Sequence, residues 1–163
     1  MREIITRAKG QTQKIASAFA KKLHTGDIVA LYGPLGAGKT TFIQGLAKGL
    51  GYKQRVLSPT FVFVRPYTIS KQQAGSGDRK IKILYHIDLY RVEEETDLKT
   101  IGIEEFIADK EAISVIEWPE KIERFLPKKT KKIKIIPIKK NERKIIFSKR
   151  KDIKNPAEVT SSE

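Results

Sequence analysis

Gly33-Pro34-Leu35-Gly36-Ala37-Gly38-Lys39-Thr40-Thr41 decides the reading of this chain, because it fits G-x-x-x-x-G-K-[ST] at every fixed position. Glycines at 33, 36 and 38 permit backbone angles and close approaches that a Cβ would block, so successive N–H groups can converge on a phosphate. Lys39 adds a positive charge on a flexible stem. The Thr40 hydroxyl can serve a Mg²⁺ bridging two phosphates, and Thr41 opens a helix whose N-terminal dipole favours the same anion. The flanks have the required order. Asp27-Ile28-Val29-Ala30-Leu31-Tyr32 is a short apolar run of strand character, and Phe42, Ile43, Leu46, Ala47 and Leu50 follow at helical spacing. The competing account is a glycine-rich strand-to-helix turn with a solvated lysine.

Upstream, Ile15, Phe19 and Leu23 with Ala16 and Ala20 form an apolar stripe that predicts a helix over Gln11 to His24, ended by Thr25-Gly26-Asp27 and packed on a sheet. Downstream, a helix from about Thr40 to Leu50 stops at Gly51. Ser58-Pro59-Thr60 is turn-like, and Phe61 to Tyr67, rich in aromatic and β-branched residues, predicts a strand. Thr68 to Lys80 has no periodicity and reads as a flexible connection. Ile81 to Ile87 predicts a strand ending at Asp88. Short helices are expected at Glu93 to Lys99 and Ile103 to Ala108, and Ala112 to Ile116 reads as a buried strand ending at Glu117. Trp118 and Pro119 come next, with Pro119 starting a helix to Phe125. Lys132 to Ile138 and Lys144 to Phe147 predict a C-terminal hairpin, with Pro137 placing its strand at an edge or a bulge.

A phosphate-binding loop only holds its ligand; turnover also needs a carboxylate beside the metal and a group that orients the attacking oxygen. Asp88 and Glu117 qualify by position, Glu117 on the more apolar and so more central strand. Either is equally read as a solvated strand-end carboxylate or a helix cap. Thr60 offers a loop hydroxyl able to sense a terminal phosphate, or one that simply closes a turn. His86, inside a strand, reads as a packed or surface residue, and Trp118 as a core anchor or a stacking platform.

Composition sets the outer limits. The 163 residues suit one domain, expected to span 1–151, with a polar, unordered tail at 152–163. Zero cysteines exclude disulfides and thiolate metal sites. No apolar run approaches the ~20 residues of a membrane span, and no N-terminal signal is present, which gives an expectation of a soluble, cytoplasmic protein without membrane contact. The net charge of +14 points to a polyanion such as RNA, or to a lysine-rich solvated face. Much of the excess falls between Pro127 and Lys151, where Glu142 is the lone acid.

Taken together, Leu35 to Phe42, Ser58-Pro59-Thr60-Phe61, His86-Ile87-Asp88-Leu89-Tyr90-Arg91, Ile101 to Phe106 and Ile116-Glu117-Trp118-Pro119-Glu120-Lys121 resemble the motifs of the bacterial TsaE (YjeE) family in order and spacing. The resemblance implies an α/β fold, a P-loop NTPase-like three-layer sandwich whose mixed, partly parallel sheet is flanked by helices and carries a C-terminal β-hairpin. It further implies an ATPase required for threonylcarbamoyl-adenosine modification of tRNA next to the anticodon, acting through the TsaB–TsaD pair with ATP and Mg²⁺. Carried over by motif, Lys39 and the loop from Gly33 to Thr41 hold the phosphates, Thr40 and Glu117 serve Mg²⁺, Asp88 supports catalysis, Thr60 is switch-like and Trp118 lies by the nucleotide. Pro34 departs from the family's usual acidic residue, the 68–80 connection is longer than usual, and the hairpin is more basic.

Two other classes share parts of this pattern. A small-molecule or nucleotide kinase has the same opening but needs an arginine-rich lid, for which Ser70 to Lys80 offers only Arg79. A basic nucleic-acid-binding module would use ATP as a conformational ligand and grip phosphates, tRNA included, through residues 127–151.

Overall fold

The computed structural model describes residues 2–69 and 81–148. Of the connection expected over Thr68 to Lys80, Thr68 instead closes β3 and 70–80 lie outside the described residues, as do the tail at 152–163 and the boundary at 151. Seven strands form one sheet in the order β1-β7-β6-β2-β5-β4-β3: β1 (Arg2–Thr6), β2 (Ile28–Tyr32), β3 (Val64–Thr68), β4 (Ile83–Asp88), β5 (Ala112–Glu117), β6 (Lys131–Pro137) and β7 (Arg143–Phe147). β6, β2, β5 and β4 run parallel, while β3, β7 and β1 add antiparallel pairings at the two sides. The helices are α1 (Lys9–Ala20), α2 (Lys39–Gly49), α3 (Glu95–Ile101) and α4 (Ile103–Ala108), with a 3-10 helix at Pro119–Phe125.

Alternation along the strands divides the core between two faces. Val29 and Leu31 of β2, Ile113 and Val115 of β5 and Ile133 and Ile135 of β6 pack with Ala16, Ala20, Phe42, Ile43 and Leu46 of α1 and α2. Ile28, Ile87 and Ile116 pack instead with Leu98, Ile103 and Ile122 from α3, α4 and the 3-10 helix. The result is the expected three-layer α/β arrangement. Full burial of a side chain such as Phe42 or Leu46 contributes about 1.5–3 kcal/mol.

α1 reaches the sheet beside α2, and the two helices approach at glycines. A Cβ on Gly45 would lie 2.3 Å from the Gln13 carbonyl oxygen, and one on Gly49 would lie 2.5 Å from that of Ser17. Crowding there seats α2, and with it the loop that precedes α2, in one position.

Four local expectations are corrected. α1 ends at Ala20 rather than His24, and Gly26, at φ 76°, instead turns the chain into β2 while its N–H bonds the Ala112 carbonyl. β3 begins at Val64, because Phe63 is left-handed at φ 60° and Val62 closes a turn onto the Pro59 carbonyl, which interrupts an extended run from Phe61. β6 is an interior strand. β2 pairs only with Lys131 to Lys134, so Pro137 lies beyond β2's reach and its missing N–H disturbs no ladder on that side. Finally β1, unanticipated, pairs with β7 and is anchored by a buried Thr6–Thr12 hydroxyl contact of 2.8 Å.

Candidate functional site

β2, β5 and β4 lie side by side and parallel, so their C-terminal ends open on one crevice, with β6 on the far side of β2. Registers pair Leu31 with Glu117 and Glu117 with Asp88, which sets both carboxylates at the mouth of the crevice beside the loop from β2 to α2. Lys39, Asp88 and Glu117 are all buried there.

Within the loop, Gly33 is required by contact as well as by angle: its φ is 145°, and a Cβ would stand 2.4 Å from the Ile135 carbonyl oxygen. Pro34, Leu35 and Gly36 form an exposed tip, Ala37 is buried, and Gly38 precedes α2 in a left-handed conformation. Lys39, Thr40 and Thr41 are the first three residues of α2. The Lys39 ammonium is turned back into the loop, donating to the carbonyls of Gly33 (2.7 Å) and Pro34 (3.1 Å) and lying 3.9 Å from the centre of the Trp118 ring. Burial pushes its pKa down, opposed by the negative charges of Glu117, Glu120 and Asp88. Among the described residues this buried ammonium faces neutral carbonyls and a ring without a close anionic partner, which is the condition an entering phosphate relieves.

Glu117 is held from two directions. Its Oε1 accepts from the Thr40 hydroxyl at 3.0 Å and from His86 Nε2–H at 2.8 Å. His86 is fully buried, and its Nδ1 has no partner among the described residues. Asp88 is engaged differently: Oδ2 accepts from the Thr60 hydroxyl (2.6 Å) and the Ser58 hydroxyl (3.0 Å), while Oδ1 accepts the Tyr90 N–H (3.0 Å). The carboxylate therefore tethers the segment from Ser58 to Thr60 to the end of β4.

Among the described residues two non-glycines take left-handed conformations, Trp118 at φ 59° and Phe63 at φ 60°, and both adjoin these carboxylates. Trp118 directly follows Glu117 and faces Lys39 and the Tyr90 ring (5.1 Å); the Phe63 carbonyl receives the Asp88 N–H at 2.9 Å. Such conformations cost on the order of 1–2 kcal/mol each and cluster where a side chain must be aimed. Beside Trp118 a cleft of about 500 Å³ is lined by Tyr32, Pro34, Glu120, Lys132 and Lys134 among others. Burial and the adjacent Glu123 carboxylate push the Tyr32 hydroxyl pKa up.

The structure thus brings Gly33 to Thr41, Thr60, Asp88, Glu117 and Trp118 around one crevice. It also gives parts to residues that the sequence reading assigned none. His86 and Asp88 stand in one motif, two apart on one strand, and so share a face, a period-2 signal that joins His86 to the site. Ser58 stands in the Ser58-Pro59-Thr60 motif but reads from sequence only as a turn residue, while Arg143, which contacts the loop across 106 positions of sequence, has no such signal.

Among the described residues no helix is long and apolar enough to cross a membrane. The profile of the family described as "Threonylcarbamoyl adenosine biosynthesis protein TsaE" matches residues 6–145. The chain is 38% identical over 135 residues to the tRNA threonylcarbamoyladenosine biosynthesis protein TsaE of Bacillus subtilis, covering 83% of this chain and 75% of that protein. To the protein of the same name from Treponema pallidum it is 32% identical over 141 residues, covering 86% and 96% respectively. The crystal structure of Bacillus subtilis YdiB superposes with a TM-score of 0.69 at 31% identity, covering 90% of this chain and 83% of that one. A family profile spanning nearly all the described residues, and relatives 32% and 38% identical over more than four fifths of this chain, establish that it belongs to the TsaE family.

Proposed function

We propose that this chain binds ATP with Mg²⁺ in the crevice at the ends of β2, β5 and β4, hydrolyses it, and thereby supports threonylcarbamoyl-adenosine modification of tRNA through a TsaB–TsaD complex. The observation that carries the reading is the 3.0 Å contact between Thr40, at the start of α2, and Glu117, at the end of β5, beside a buried lysine that faces loop carbonyls. Glycine loop, lysine, hydroxyl and carboxylate are the parts a phosphoryl-transfer site of this class needs, in the arrangement it needs.

The donors fit Mg²⁺. Thr40 and Glu117 supply hard oxygens, and a cation that keeps several waters and takes phosphate oxygens requires few protein ligands. Among the described residues no three Asp, Glu, His or Cys side chains cluster, consistent with a metal held largely by nucleotide and water. When bound, Mg²⁺ neutralises phosphate charge and polarises the bond to be broken. His86 keeps Glu117 turned toward Thr40. Lys39 exchanges its carbonyl contacts for phosphate oxygens, a stronger, charge-assisted pairing. Asp88 has its oxygens engaged by Ser58, Thr60 and Tyr90, so it acts by holding Thr60 in reach of the terminal phosphate rather than as a free base.

The cationic hairpin supports a direct contact with tRNA as a subsidiary part of the proposal. Lys131, Lys132 and Lys144 are paired with Asp27, Glu123 and Glu3, but Lys139 and Lys140 stand exposed at the hairpin turn without an acidic partner among the described residues. The kinase alternative turns on residues 70–80, outside the described residues.

The test is ATP turnover with and without purified TsaB and TsaD, beside a pull-down in ATP, ADP or no nucleotide. Nucleotide-dependent capture with stimulated hydrolysis is expected. ATP consumed only on addition of a small phosphate acceptor, with no capture, would replace this reading by the kinase one.

A further inference from the structure

Arg143, at the first position of β7, lies outside every motif, yet among the described residues its guanidinium hydrogen bonds go to main-chain carbonyls of two segments. Nε donates to the Ala37 carbonyl at 2.9 Å and Nη2 to the Gly36 carbonyl at 3.4 Å. Nη1 donates to the carbonyls of Lys139 (3.1 Å), Lys140 (3.2 Å) and Glu142 (3.0 Å) in the β6–β7 turn. The nearest carboxylate in sequence, Glu142, pairs with Arg7 at 3.6 Å instead. A Cβ on Gly38 would lie 3.8 Å from Arg143 Nε, so the guanidinium sits directly against the turn into α2.

Peptide planarity gives this contact a consequence. In a trans peptide the C=O and the following N–H point in opposite directions. Holding the Ala37 carbonyl outward toward Arg143 therefore turns the Gly38 N–H inward, toward the side where the Lys39 ammonium and the α2 N-terminus converge. Carbonyls are neutral acceptors, so the guanidinium charge is not cancelled and adds to the field favouring an anion in the loop. Its planar fork also joins the loop to the hairpin turn in one rigid unit, which a flexible ammonium would not do.

We propose that Arg143 is a positioning residue for the phosphate loop, acting from its outer side to orient the Ala37–Gly38 peptide toward the α- and β-phosphates and to tie the hairpin turn to the occupied state of the site. The inference rests on the reading of Gly33 to Thr41 as a phosphate site. Because the amides it orients serve phosphates common to ATP and ADP, both nucleotides should depend on it alike.

The experiment compares ATP, ADP and GTP affinity of wild type, Arg143→Ala and Arg143→Lys in the full chain, by calorimetric titration, with thermal unfolding of each. The expected result is a loss for Arg143→Ala of about 10- to 100-fold, equal for ATP and ADP, with Arg143→Lys intermediate because the charge remains without the fork. Should Arg143→Ala not fold, the Arg143→Lys titration reads the same effect. Affinity within twofold of wild type in the folded variants would overturn the proposal and leave Arg143 a purely structural link. A loss confined to ATP would overturn it in favour of direct contact with the terminal phosphate, and a loss for ATP and ADP with GTP affinity unchanged would overturn it in favour of base contact. Wild type that binds no nucleotide would overturn the phosphate-site reading, and this inference with it.

Discussion

The loop at 33–38 and the segment at 57–63 border the same crevice but are built on opposite principles. The first is fixed by backbone: Gly33 is wedged against the Ile135 carbonyl, the Ala37 N–H bonds the Pro34 carbonyl at 3.1 Å, and Arg143 binds from outside. The second leans on side chains. Leu57 is tied through the Tyr67 hydroxyl, Ser58 and Thr60 hang on one carboxylate of Asp88, and Phe61 and Val62 remain 78% and 55% exposed. A region set by main-chain geometry keeps its shape with or without ligand. One whose two hydroxyls hang on a single carboxylate changes partners more readily. The contrast suits a site in which one wall holds a nucleotide and the other responds to it.

Removing the holding group has the largest expected effect. Lys39→Ala should weaken ATP binding by about 100-fold or more, seen in a titration, because the sole ammonium in the loop is lost. Glu117→Ala should leave ATP bound within a few-fold while Mg²⁺-dependent turnover falls by about 10²–10³, measured as phosphate release. Unchanged turnover there would return Glu117 to a strand-end carboxylate with no catalytic part.

On the responsive side, Asp88→Asn replaces a charged acceptor of two hydroxyl hydrogen bonds by a neutral one. Turnover should fall by about 10- to 100-fold with ADP affinity nearly unchanged, and limited proteolysis should cut within 57–63 sooner than in wild type. Equal losses of ADP affinity and turnover would mean that the two walls are not separable. Phe61→Ala should move unfolding free energy by no more than about 0.5 kcal/mol, since the ring is exposed and contacts chiefly the Arg91 guanidinium at 4.2 Å. A larger destabilisation would make the segment part of the core.

The same contrast explains what the sequence revealed. The loop was legible because its function demands particular residue types at fixed spacing, and β2 and α2 on either side carry strong apolar periods. Glu117 was legible as the end of a strand that is apolar but for Ser114. Asp88 was harder to place, since Tyr85 and His86 interrupt the apolar run of β4, although β4 proved interior and Asp88 level with Glu117. The Phe61 to Phe63 stretch misled because β propensity describes side chains that fit a pleated surface, and here the Asp88 tether and the left-handed Phe63 override it. β1 was missed because its β-branched Ile4-Ile5-Thr6 is a short signal, and it is pairing with the distant β7 that makes it a strand. Arg143 acts through a contact distant in sequence that no short motif encodes, and His86, although it stands in a motif, takes its part from a contact with Glu117 on another strand.

The division between a holding wall and a responding wall is tested most directly by amide hydrogen exchange of the full chain without nucleotide, with Mg²⁺–ADP and with a slowly hydrolysed Mg²⁺–ATP analogue. Residues 33–41 should be protected by both nucleotides, and residues 57–63 by the triphosphate well beyond the diphosphate. Exchange in 57–63 that is the same with either nucleotide would contradict the account and leave Thr60 and Asp88 as elements of the fold alone.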